Sequence, residues 1–141
     1  MARVKSGEPV SIRLRAPVHK AVRSLARQAR RPAAQVINDL LEEALRSRRF
    51  PGVVFVEGPA GRRAHLAGTG LDVWEVVELV NEYGSPEAVL RDFPRLTRTA
   101  IRTAQVYAGE YPEEIQTFLE LNARSPETIR REFPHVEVVG A

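Results

Sequence analysis

The chain has no cysteine among its 141 residues. Disulfides and thiolate-bound zinc are therefore excluded, and a reducing cytoplasm is the expected compartment. No apolar run approaches the ~20 residues a membrane-spanning helix requires, and no signal-peptide pattern is expected at its start. Lysine is nearly absent: Lys5 and Lys20 stand alone, and every other member of the 21 basic residues is arginine. Such a bias fits GC-rich coding, so arginine abundance by itself says little about a polyanionic partner. The three histidines, His19, His65 and His135, are too far apart for ligand spacing, so neither a metal nor another cofactor is expected. Gly58 to Gly61 lacks the Lys-Ser/Thr of a phosphate-binding loop. Glu113-Glu114 reads as a first-turn acidic pair suited to a helix dipole, not as a catalytic dyad. No nucleophile–base pairing emerges, and an enzyme is not expected.

What is present is an uneven charge. Residues 1–49 hold twelve Lys/Arg against four Asp/Glu, and residues 50–141 hold nine against fourteen. A basic head on an acidic body points to a polyanion for the head alone.

Residues 1–9 carry little periodicity and read as a flexible arm. Val10-Ser11-Ile12-Arg13-Leu14-Arg15 then alternates, with Val10, Ile12 and Leu14 on one face and Ser11, Arg13 and Arg15 on the other. This pattern predicts a strand. Pro17 suits a first helical turn, and a helix is expected to about Ala29. Pro32 opens a second helix with the broad apolar stripe Val36, Ile37, Leu40, Leu41, Ala44 and Leu45. A strand and two helices in about 40 residues, without disulfide or metal, approach the lower limit of independent folding. A second chain is therefore expected, with Val10, Ile12, Leu14, Val36, Ile37, Leu40 and Leu41 in the dimer core.

Phe50-Pro51-Gly52 marks a boundary. Val53–Val56 and Arg63–Leu66 read as a hairpin across a Gly-Pro-Ala-Gly turn. A helix is expected from Leu71 to Glu82, with Gly84 as its C-cap. Ser85-Pro86-Glu87 opens a short helix that must stop before Pro94. Two more follow, from Leu96-Thr97 and from Pro112. SPEAVLRDFP at residues 85–94 returns as SPETIRREFP at residues 125–134, a repeated helix-start device.

The head resembles the ribbon-helix-helix repressors, the CopG, Arc and MetJ kind, through Val10–Arg15, Ala16-Pro17 and Pro32-Ala33-Ala34-Gln35-Val36-Ile37. That resemblance implies a two-stranded ribbon in the DNA major groove, with Ser11, Arg13 and Arg15 reading bases. It also implies a phosphate held by the Ala33 and Ala34 amides beside Arg30 and Arg31. The turn here is Arg30-Arg31-Pro32, where the family usually has a glycine. Residues 50–122 resemble a small domain found in antitoxins of the VapB kind, beside toxins with a PIN-type nuclease fold. The carrying segments are Gly58–Arg62, Leu71–Val77, Asp92–Thr97 and Tyr111–Ile115. The resemblance gives the helices around Asp92–Thr97 a helix-turn-helix look, with Thr97, Arg98 and Arg102 as DNA-contact candidates. The negative balance of this half favours a protein contact instead.

The expected architecture is thus mainly α with short β. A ribbon-helix-helix module spans residues 10–49, a hairpin-plus-helices domain residues 50–122, and a C-terminal arm residues 123–141. The resemblance implies a homodimeric antitoxin that binds operator DNA, represses its own promoter and neutralises a PIN-type toxin. Arg124, Arg130, Arg131 and Phe133 of the arm are the toxin-binding candidates. Two other readings are a stand-alone repressor and a structural dimerisation adaptor.

Overall fold

The structure is a computed structural model, and it describes residues 7–123. Their element order is α1 (Ala16–Ala29), α2 (Ala33–Arg49), β1 (Val53–Gly58), β2 (Gly61–Leu66), β3 (Leu71–Asp72), α3 (Val73–Tyr83), α4 (Pro86–Asp92), α5 (Arg98–Glu110) and α6 (Pro112–Ala123). Two compact units divide between Glu42 and Glu43, inside α2.

The first unit corrects the expected architecture. Residues 10–15 form no strand, so two helices open the fold and the sheet comes only after them. The N-terminal ribbon-helix-helix arrangement is not what the chain adopts. Alternation of apolar and polar residues fits a strand, but a strand exists only where a second one completes its hydrogen-bond ladder. Pro9 and Pro17 bracket the segment, and nothing pairs with it among the described residues. Arg15 has extended backbone angles as the residue before α1.

α1 and α2 meet through a small core of Val22, Ala26 and Val36, with Ile37 half-buried against it. The connection is tight because Arg30 adopts a left-handed conformation, φ 52° and ψ 44°. Its amide and that of Arg31 return to the carbonyls of Arg27 and Ala26 at 3.3 and 3.0 Å. Glycine is the usual residue for such a C-cap; arginine holds it here with some steric cost.

The second unit contains the hairpin, β3 and the later helices. β1 and β2 pair antiparallel with Val53 opposite Leu66 and Phe55 opposite Ala64, and β3 adds to β2 with Asp72 opposite His65. The two-residue period places Val53, Phe55, Ala64 and Leu66 on the core side. Helices α3 to α6 bring Val73, Val76, Val89, Ile101, Ala104, Tyr107 and Ile115 to the same core.

Local signals set the helix ends as expected. Gly84 closes α3 at φ 83°, in the left-handed region. Ser85 caps α4 by accepting from the Ala88 amide at 3.2 Å, and Thr97 caps α5 by accepting from Ala100 at 3.0 Å. The segment before Pro94 ends α4, as the pre-proline restriction requires. No helix among the described residues is long and apolar enough to cross a membrane.

Candidate nucleic-acid interface

Between Glu8 and Asp39 the chain has seven Lys/Arg and no carboxylate. Helical geometry sorts these charges. On α1, Lys20, Arg23 and Arg27 are spaced by three, four and seven residues, which places them on one face. His19 adjoins them at four residues before Arg23. All four are exposed. Val22 and Ala26 lie on the face packed against α2. Lys20, Arg23, Arg27 and Arg30 have no acidic partner among the described residues.

Arg30 and Arg31, expected to hold phosphate, behave differently from each other. Arg30 is exposed at the C-terminal end of α1, where its charge also suits the dipole. Arg31 is paired with Asp39 at 2.6 Å, both side chains being about half exposed (46% and 45%), so part of its charge is already compensated. Ala33 and Ala34 are exposed and open α2, and the Ala34 carbonyl accepts from Asn38 Nδ2 at 3.0 Å. Ser11, Arg13 and Arg15, expected to read bases, are exposed and irregular.

The residues expected in a dimer core divide in the same way. Val36 is buried, Leu14 and Ile37 are half-buried, and Val10, Ile12, Leu40 and Leu41 are exposed. Val18, Leu25 and Leu45 are exposed as well. The toxin-binding candidates Arg124, Arg130, Arg131 and Phe133 lie outside the described residues.

Two polar networks stabilise the second unit. On the sheet, Arg63 and His65 are two residues apart and share a face, with Asp72 directly across from His65. The buried Asp72 carboxylate accepts from Arg63 Nε at 2.5 Å and from Trp74 Nε1 at 3.2 Å, and His65 Nδ1 lies 2.7 Å from it. Asp72 also precedes α3, where the Glu75 side chain accepts from its amide at 2.7 Å. Three donors thus satisfy a carboxylate that would be costly to bury alone. Trp74 is half-buried against the core, as expected of a tryptophan on an apolar helix face.

The second network joins the last turn of α2 to α5 and α6. Arg46 Nη1 donates to the Tyr107 hydroxyl at 2.9 Å and to Glu114 at 3.0 Å, and Tyr107 donates to Glu114 at 2.6 Å. The Arg46 guanidinium also stacks on Tyr111, 3.8 Å from the ring centre. Burial first, and then the Glu114 carboxylate, push the Tyr107 phenol well above its ordinary range, while Arg46 pulls the other way. Arg49 pairs with Glu110, and Phe50 meets Tyr107 edge-on with ring centres 5.2 Å apart.

Sequence reading missed both networks and the α1 stripe. A signal for the stripe was available, in the four-residue spacing of cations within a carboxylate-free stretch. The Arg46 network joins residues 61 and 68 positions apart, and no local pattern announces that. Among the described residues no group of His, Cys, Asp and Glu could hold a metal ion.

Over residues 54–108 the chain is similar to a family described as a protein of unknown function, DUF433. The matched stretch runs from β1 to within α5 and leaves α1 and α2 outside. No curated protein and no solved structure matches the chain.

Proposed function

We propose that this chain is a dimeric DNA-binding regulator that also holds a protein partner, acting as the antitoxin of a toxin–antitoxin pair. The first unit would bind operator DNA of its own promoter. The acidic second unit and the arm after it would hold a toxin with a PIN-type nuclease fold. The observation that carries the reading is the segregation of charge, with seven cations and no carboxylate over residues 9–38 and an acidic excess after residue 49. Duplex DNA is a dense row of phosphates, and only the head has the charge to meet it.

What the described residues of the first unit leave unburied supports dimerisation. Among the described residues, three buried side chains are too small a core for an independent fold of this size. Ile12, Val18, Leu25, Leu40 and Leu41 remain exposed on the same unit. A second copy would cover apolar surface at roughly 25 cal/mol per Å².

Expression of the chain with its neighbouring reading frame tests the proposal. The expected result is a dimer that shifts a fragment of its own promoter and co-purifies with the neighbour's product. A monomer that binds no promoter fragment and retains no partner would refute it. Promoter binding without a retained partner would return a stand-alone repressor, and a dimer with neither property a structural adaptor.

A further inference from the structure

We infer that the exposed face of α1, built from Lys20, Arg23 and Arg27 with His19 beside them, is a phosphate-anchoring surface for duplex DNA. The inference rests on the DNA-binding reading above and assigns to it a surface separate from residues 11–15 and from the start of α2. Three observations lead to it. The three cations lie on one face of a regular helix. Each is exposed, and none has an acidic partner among the described residues. The whole of α1 lacks carboxylates, so nothing on the helix competes for them.

The dimensions suit a duplex. At ~1.5 Å of rise per residue, His19 to Arg27 spans about 12 Å, comparable to the width of the major groove at about 12 Å. A helix laid along a groove edge brings its cations to phosphates of the flanking strand. Such contacts position a protein on DNA and carry little sequence information. The other class of partner for a basic amphipathic helix is an anionic membrane surface. Residues 1–49 contain no Phe, Tyr or Trp to seat in a bilayer interface. On the apolar side of α1, Val22 and Ala26 are buried against α2, while the exposed Val18 and Leu25 belong to the surface that a second copy would cover. Both facts favour DNA.

The test compares the full-length chain with a Lys20→Ala/Arg23→Ala/Arg27→Ala variant and with an Arg48→Ala/Arg95→Ala control. Arg48 and Arg95 are exposed residues of the second unit. Alanine favours helix, so α1 should persist in the variant, and circular dichroism checks this. Affinity for a promoter duplex and for an unrelated duplex is measured from 50 to 200 mM salt. Each lost phosphate contact lowers the slope of log K against log salt by about 0.9, so the three contacts of one protomer remove about 2.7 and the six of a dimer about 5.4. Over that fourfold change of salt, the variant should lose about 40-fold less affinity than the wild type if one protomer's stripe is engaged, and roughly 2,000-fold less if both are. Both duplexes should be affected alike, and the control should keep the wild-type slope.

An unchanged slope in a folded triple variant overturns the inference and leaves the DNA reading standing. An equal loss in the control also overturns it, because the charge would then act without a defined surface. A wild-type chain that binds neither duplex at 50 mM salt removes the DNA reading itself. Binding to phosphatidylserine vesicles in place of duplex assigns the stripe to a membrane and overturns the inference.

Discussion

Removing the Asp72 carboxylate should be among the most damaging single changes in the second unit. Asp72 is 6% exposed and accepts from Arg63, His65 and Trp74 while preceding α3. Asp72→Ala leaves the Arg63 guanidinium without its carboxylate, and breaking a buried pair costs about 3–5 kcal/mol. Arg63 and His65 side chains are 29% and 21% exposed, so water recovers part of that, and about 3 kcal/mol is expected. Asp72→Asn keeps the shape and one acceptor oxygen but turns an amide N–H₂ toward other donors. About 2 kcal/mol is expected there, from charge-assisted bonds worth about 1.5–3 kcal/mol. Urea unfolding of the full chain reads both values. Trp74, the sole tryptophan, bonds to Asp72 and reports locally, and far-ultraviolet circular dichroism reports globally. Coincident transitions with an unchanged m-value make the comparison valid. A cost below ~1 kcal/mol for Asp72→Ala would refute the claim that this network holds β2, β3 and α3 together.

Tyr107→Phe should cost about 1–2 kcal/mol at neutral pH, since the hydroxyl both donates to Glu114 and accepts from Arg46. The same variant should flatten the alkaline loss of stability. The folded phenol titrates above the unfolded one, so its contribution is complete below pH ~10 and falls as pH rises beyond that, by at most ~1.4 kcal/mol per pH unit; equal slopes for both proteins in denaturant series above pH 10 would contradict this. Arg30→Gly should stabilise the first unit by up to ~1 kcal/mol, because it relieves a left-handed arginine at φ 52°, and a lower thermal midpoint would count against that account. Glu87→Gln removes the exposed Arg98–Glu87 pair, whose side chains are 71% and 55% exposed. It should leave the urea midpoint essentially unchanged, so a clear shift would show a role the geometry lacks.

Much of the second unit was legible in the sequence because its signals are local. Ser85, Thr97, Gly84 and Pro94 mark helix ends through bonds within a few residues, and the apolar run Val53–Val56 finds its partner a two-residue loop away. The expectation of a strand failed at Val10–Arg15, where apolar and polar residues alternate regularly. The difference lies outside the segment. β1 has β2 beside it, while residues 10–15 have no neighbour among the described residues to complete a ladder. Periodicity describes which face a strand would present, not whether a strand forms.

The sequence by itself determined the helices, their caps and the separation of positive from negative charge, because propensity, capping and charge count depend on near neighbours or on composition. Only the tertiary structure decided which charges are already satisfied. It placed Asp39 on Arg31 and left Lys20, Arg23 and Arg27 exposed, without acidic partners among the described residues. It closed Arg46 onto Tyr107 and Glu114, and Arg63 onto Asp72. A cation's availability to a phosphate depends on the carboxylates within a few ångströms of it in space, and chain order does not fix that distance.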